Sequence, residues 1–345
     1  MKVRKLMPLV AAALIAVLTL ALGAGTGSAT TDVKAAPAAP AATPLKIALI
    51  TDVGGLDDKS FNFLANKGLQ DAKKRLGVQG RVYISSKGSD YIPNLTSAAR
   101  QYKADLVIAV GFLMADQVAA VAKRYPDTKF AIIDYPWVAL KGKPANVRGL
   151  IFAEEEAGYL AGVAAATVTK TNVIGSVGGQ KIPPVDAYIA GYQQGAKATK
   201  KGVKTLNGYS QEFQAQDKCK EIALNQIARR ADVMFQVAGQ CGLGALSAAK
   251  DKGVWGVGVD ADQGYIGTHI LTSAMKRVDL AVSQTIGLVK TGTFKGGTDT
   301  AFNVKNKGVS YGKISSKAPT TLKAKLVAVS KRIAAGKIKI SRTVK

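Results

Sequence analysis

From Lys46 onward, short apolar runs alternate with longer stretches in which apolar residues recur at helical spacing, and this alternation limits the possible folds more than any other feature. The runs are Lys46 to Thr51, Arg81 to Ser85, Asp105 to Val110 and Lys129 to Asp134, then Asn172 to Val177, Val203 to Tyr209, Asp232 to Val237 and Val254 to Val259. Most are rich in Val and Ile and too continuously apolar for half-exposed strands, so they read as strands buried on both faces. Between the first two, Phe61, Leu64, Leu69, Ala72 and Leu76 form one apolar stripe of a helix. Strands alternating with helices predict parallel sheets joined by right-handed crossovers. Two such blocks, separated by Val147 to Phe152 and a long Ala-rich helix, predict two similar α/β lobes with a ligand cleft between them.

The first residues address location. Lys2, Arg4 and Lys5 precede an apolar run from Leu6 to Leu22, and small residues follow through Ala29, the order of a signal peptide spanning residues 1–29. The alternative is an uncleaved membrane anchor. Residues 30–44, rich in Thr, Ala and Pro, read as a flexible linker. This predicts an exported, extracytoplasmic protein with no cysteine near the cleavage site to carry a lipid. The formal charge of +25 raises the question of an anionic partner, although export argues against nucleic acid as the main one.

With one histidine, His269, and two cysteines, Cys219 and Cys241, zinc sites and histidine-dependent catalytic pairs are disfavoured. No nucleophile elbow or Walker-type loop occurs, His269 reads as a structural residue in a strand-like run, and no cofactor or enzymatic activity is expected. Gly256, Gly258 and Ala261 lack the following helix of a dinucleotide loop, and Asp260, Asp262 and Gly264 lack the rest of a calcium loop. Lys313 to Lys345 holds ten basic residues and no acidic one, a pattern that reads as the solvated face of an amphipathic helix.

In open parallel sheets the ligand crevice lies beyond the carboxyl ends of the strands. There the chain places Asp52, Asp134 and Asp260, each closing an apolar run, and a carboxylate so placed needs a partner if buried. After Asp52 come Gly54, Gly55, Asp57, Asp58, Ser60, Phe61 and Asn62. Asp58 or Ser60 has a plainer reading as a helix cap, Asp57 as a solvated charge, and Phe61 as core.

The segment TDVGGLDDKSFN, Thr51 to Asn62, resembles the signature of the basic membrane protein family, the PnrA-like purine-nucleoside receptors of ABC transporters. IIDYP from Ile132, EEEAGYLAGVAAA from Glu154, GGQKIPPVDAYIAGYQQGAK from Gly178, ADVMFQVAG from Ala231, GVDADQ from Gly258 and LTSAMKRVD from Leu271 agree in order, so the likeness covers nearly all of Lys46 to Lys345. The resemblance implies a type I periplasmic-binding-protein fold, two α/β lobes joined by three crossover segments. Residues 45–150 with 275–305 would form one lobe and 151–274 with 306–345 the other. It further implies that Phe61 and Phe213 sandwich a purine and that Asp52 and Asp134, beside Asn62, read its polar edge. Asp260 and Lys276 would hold the ribose hydroxyls, and Gly239 would bring backbone close to the ligand. The implied partners are a purine nucleoside and a permease with its ATPase, the receptor itself acting as a monomer. Riboflavin or a sugar is the alternative solute, and a wall or surface polymer the alternative partner of another class.

Cys219 and Cys241 depart from the family pattern, where small residues are usual. As the only two cysteines of an exported chain they are expected to pair if the strands preceding them are neighbours; two free thiols are the alternative.

Overall fold

The computed structural model describes residues 43–344; the expected signal peptide lies outside them. Five strands and four helices open the chain: β1 (Lys46–Ile50), α1 (Phe61–Leu76), β2 (Gln79–Tyr83), α2 (Tyr91–Arg100), β3 (Leu106–Ala109), α3 (Ala115–Arg124), β4 (Lys129–Ile133), β5 (Val147–Phe152) and α4 (Glu154–Val168). The pattern repeats through β6 (Val173–Gly178), α5 (Pro183–Thr199), β7 (Lys204–Tyr209), α6 (Gln216–Ala228), β8 (Val233–Val237), α7 (Gly239–Asp251), β9 (Trp255–Asp260) and β10 (Ile270–Lys276). It closes with α8 (Val278–Lys290), β11 (Thr298–Phe302), β12 (Val309–Tyr311) and α9 (Thr321–Ala334).

These strands form two six-stranded sheets, β11-β5-β4-β3-β1-β2 and β12-β10-β9-β8-β6-β7. Every pairing is parallel except that of β12 with β10. The apolar runs are buried as their composition requires: β3 and β8 have no exposed residue. Gln236 is buried within β8, and its amide answers the burial by donating to Gln263 Oε1 at 2.8 Å and accepting from Ala238 N at 3.1 Å.

Strand limits differ from the expected ones by a residue or two. The largest shift is β2, which starts at Gln79 rather than Arg81 because Gln79 N donates to Leu45 O and locks the edge strand two residues earlier. β5 stays in the first sheet through Phe152, and β10 in the second through Lys276, so the crossings fall slightly later than residues 150 and 274.

The chain passes between the sheets after β5, after β10 and after β11, and these crossings are bonded to one another. Ala153 N donates to Phe302 O at 2.8 Å, Val304 N to Glu156 Oε2 at 2.7 Å, and Arg277 N to Gly308 O at 2.8 Å. In the second lobe, α4 meets α5 without intervening side chains. A β-carbon at Gly158, Gly162, Gly191 or Gly195 would lie 2.0 to 2.1 Å from a carbonyl oxygen of the facing helix, so only glycine fits.

Candidate ligand-binding site

A cavity of about 70 Å³ opens where the carboxyl ends of the two sheets face each other, the place where parallel sheets form their ligand crevice. Asp52, Phe61, Asn62, Asp134, Phe213, Gly239, Asp260 and Lys276, all singled out in the sequence, line it. The first sheet contributes Asp52 after β1, Asp134 after β4 and the start of α1; the second contributes Phe213 in the loop after β7, Gly239 at the start of α7, Asp260 at the end of β9 and Lys276 at the end of β10.

Local chemistry explains how the acids are held. Asp52 Oδ1 accepts from Gly54 N at 2.8 Å and Asn62 Nδ2 at 2.6 Å, while Asn62 Oδ1 accepts from Asp52 N at 3.1 Å. Asn62 therefore serves as a clamp on Asp52. Asp58 is the cap of α1: its carboxylate accepts from the backbone of Ser60, Asn62 and Phe63 at 2.9, 2.7 and 3.0 Å, and Asp57 is solvated. Burial raises the Asp52 carboxyl above its usual range and pushes Asp58 up to about 7 against those backbone donors.

Asp134 and Asp260 occupy corresponding strand ends, and both adopt the left-handed backbone region, with φ of 70° and 57°. Side chains other than Gly, Asn and Asp are strained there, and such corners concentrate at functional sites. Asp260 is spent on internal donors: Ser60 Oγ at 2.7 Å and Tyr188 OH at 3.0 Å. Because Ser60 precedes α1 in the first lobe, that bond spans the cleft. Gln263 Nε2 to Lys59 O at 3.3 Å and Gln214 to Val53 O do the same.

Lys276 is the electrostatic centre. Its side chain is 2% exposed, and Nζ lies 2.6 Å from Asp134 Oδ1 and 2.9 Å from Glu154 Oε1. The ammonium also sits 5.0 Å from the centroid of Phe61 and 4.9 Å from that of Phe152, within cation–π range. Desolvation opposes its charge, but the fields of Asp134, Glu154 and Asp260 win and raise its pKa. Three carboxylates share this one cation, so burial dominates at Asp134 and pushes it up to about 7 despite Lys276. Lys276 Nζ donates to Asp134 Oδ2 at 2.7 Å, so both oxygens of that carboxylate lie against the ammonium.

Glu154 and Tyr188 were not anticipated as site residues. Glu154 follows an apolar run, as the three aspartates do, but two residues late and within an acidic triplet that reads as an ordinary helix start. Tyr188 lies inside the quoted GGQKIPPVDAYIAGYQQGAK block without a signal of its own. His269 does not line the cavity, and its Nε2 has no partner. Asp262 accepts from Gly264 N at 3.3 Å and Lys313 N at 3.1 Å. Among the described residues, no group of three or more His, Cys, Asp or Glu side chains is placed to hold a metal ion.

Cys219 and Cys241 are bonded, with Cα atoms 5.5 Å apart. The expected route was different: β7 and β8 are not neighbours, because β6 lies between them. Cys241 sits in the first turn of α7, and the bridge joins the N-terminal turns of α6 and α7. It adjoins the cavity through Cys241 N, which donates to Phe213 O at 3.0 Å.

Residues 45–343 match the model of the family described as ABC transporter substrate-binding protein PnrA-like. The chain is 38% identical over 294 residues to the ABC transporter nucleoside-binding protein BmpA of Lactococcus lactis subsp. cremoris, covering 78% of this chain and 82% of that one. It is 32% identical to basic membrane protein A1 of Borrelia garinii subsp. bavariensis, covering 84% and 86%. Among solved structures, a solute-binding protein of an Aeropyrum pernix K1 ABC transporter superposes with a TM-score of 0.79 at 25% identity, over 88% of this chain and 94% of that one.

Proposed function

We propose, since this chain belongs to the PnrA-like family of ABC transporter substrate-binding proteins, that its cleft captures a purine nucleoside outside the cytoplasm and delivers it to a permease driven by a cytoplasmic ATPase. The type I periplasmic-binding fold supplies two lobes able to close on a solute. The observation that carries the ligand reading is the lining of the cavity, which combines aromatic rings from different lobes, Phe61 and Phe213, with buried carboxylates at three strand ends. A flat base needs π faces, and its amino and ring N–H groups need acceptors such as the carboxylates that line the cavity. One face of Phe61 is already engaged by Lys276, so the base stacks on the other. The Lactococcus relative is named as nucleoside-binding, which supports the same class.

Export fits this role. Among the described residues no helix is long and apolar enough to cross a membrane. The test is calorimetric titration with adenosine, guanosine and inosine, together with mass spectrometry of solute released from freshly purified protein. Saturable binding that Phe61→Ala weakens by roughly 1–3 kcal/mol is expected from the stacking magnitude. An unaltered affinity in that variant rejects the stacked base.

A further inference from the structure

The basic C-terminal stretch, read from sequence as a solvated face, divides in two. On α9, Leu322, Leu326 and Ile333 are buried while Lys323, Lys325, Lys331 and Arg332 are exposed, an ordinary amphipathic helix. Arg342 behaves otherwise. Its Nη2 lies 2.6 Å from Glu154 Oε2, and its Nη1 contacts Glu155 and donates to Phe152 O at 3.1 Å. The guanidinium thereby grips the first crossing between the lobes. The segment bearing it is fastened by a reciprocal pair, Ser341 N to Gln194 Oε1 at 2.9 Å and Gln194 Nε2 to Ser341 O at 2.8 Å. Ile338, Ile340 and Val344 pack against the main core beside it.

What makes the contact consequential is the position of Glu154. Its side chain is 1% exposed; one carboxylate oxygen faces Arg342 and the other faces Lys276, the cation that holds Asp134 in the cavity. A continuous chain of charge-assisted bonds thus runs from the C-terminal tail through the first crossing, to the second crossing, to the ligand-facing carboxylate of the opposite lobe.

We propose that Arg342 is a positioning residue for the ligand site, holding Glu154 from its outer side so that Lys276 and Asp134 are set for the solute and the lobes stay closed on it. A buried carboxylate gripped by two cations has both oxygens fixed, whereas one deprived of Arg342 is free to rotate about its remaining partner. Lys276 then loses a defined anchor, and Asp134 with it. The identity of the solute rests on the nucleoside reading above; the relay does not.

The experiment compares the parent protein with Arg342→Gln and Arg342→Lys, using inosine as the probe and carboxyl carbon NMR of Asp134 as a readout that needs no ligand. The charged groups around the relay are Lys276, Asp134 and Asp260 within the cavity and Glu155 and Arg342 outside it. Removing the guanidinium leaves Glu154 less neutralised, so the Asp134 titration midpoint is expected to move upward in Arg342→Gln, with inosine released about tenfold faster. Arg342→Lys should restore part of both. A folded Arg342→Gln protein with an unmoved Asp134 midpoint and unaltered release overturns the proposal, even if its unfolding temperature falls, because a merely structural tail would do only the latter. If the parent binds no nucleoside at all, the nucleoside reading fails, and the titration alone decides for or against the relay.

Discussion

Replacing Asp134 by Asn separates two forces that oppose each other at this residue. Asn is nearly the same shape and tolerates the left-handed backbone at φ 70°, so the change removes a charge with little strain. If burial outweighs the attraction of Lys276, the folded carboxyl titrates at about 7 against 3.8 for the free group, a difference near three units. At 1.36 kcal/mol per unit this links about 4 kcal/mol of stability to its protonation, and with the side chain only 6% exposed solvent screening removes little of it. The sign follows from the raised value. Between the two pKa values the folded chain binds the proton and the unfolded chain does not, so stability is greatest below the unfolded value and is lost as pH rises through the folded one. Other acids add their own slopes, Asp58 and Glu155 among them, both pushed by burial to about 7, so the quantity to follow is the difference between variant and parent. Urea unfolding followed by tryptophan fluorescence, from about pH 4 to about pH 8, should show Asp134→Asn gaining on the parent by about 4 kcal/mol across the range. A gap that stays constant, or moves in the parent's favour at high pH, would mean that the ion pair with Lys276 governs the site and that the reasoning from burial is wrong.

The Cys219–Cys241 bridge, with a sequence separation of 22, is expected to contribute about 3 kcal/mol by restricting the unfolded chain, so a Cys219→Ala/Cys241→Ala double variant should unfold at correspondingly lower urea. Thiol titration of the unreduced, denatured parent should find no reactive group; two per chain would refute the bridge. Gly162→Ala should lower stability by several kcal/mol, since the added carbon would sit 2.0 Å from Tyr192 O and the helices must separate to admit it. A loss below about 1 kcal/mol would show that this helix contact yields readily.

The strands were legible because burial on both faces of a parallel sheet leaves an uninterrupted apolar run, as in Leu106 to Ala109. Edge and antiparallel pieces such as β2 and β12 lack that signal, since their pairing is fixed by hydrogen bonds to a neighbour distant in sequence. The aspartates stood out for the same reason: a charge that ends an apolar run is conspicuous. Phe213, Gly239 and Lys276 had no such mark and were found through resemblance alone. Arg342 was hidden by its company, for within a tract of lysines nothing local distinguishes a cation that turns inward to a carboxylate nearly two hundred positions earlier.

The four glycines between α4 and α5 bear on how such a receptor can move. Where helices touch backbone to backbone there are no rotamers to exchange and no side chains to slide over one another, so shear along that contact is obstructed. The two helices are thereby coupled into one rigid pair. Any rotation of one sheet against the other then falls on the three short connections near Ala153, Arg277 and Val304, which are tied to one another by hydrogen bonds and so must turn together.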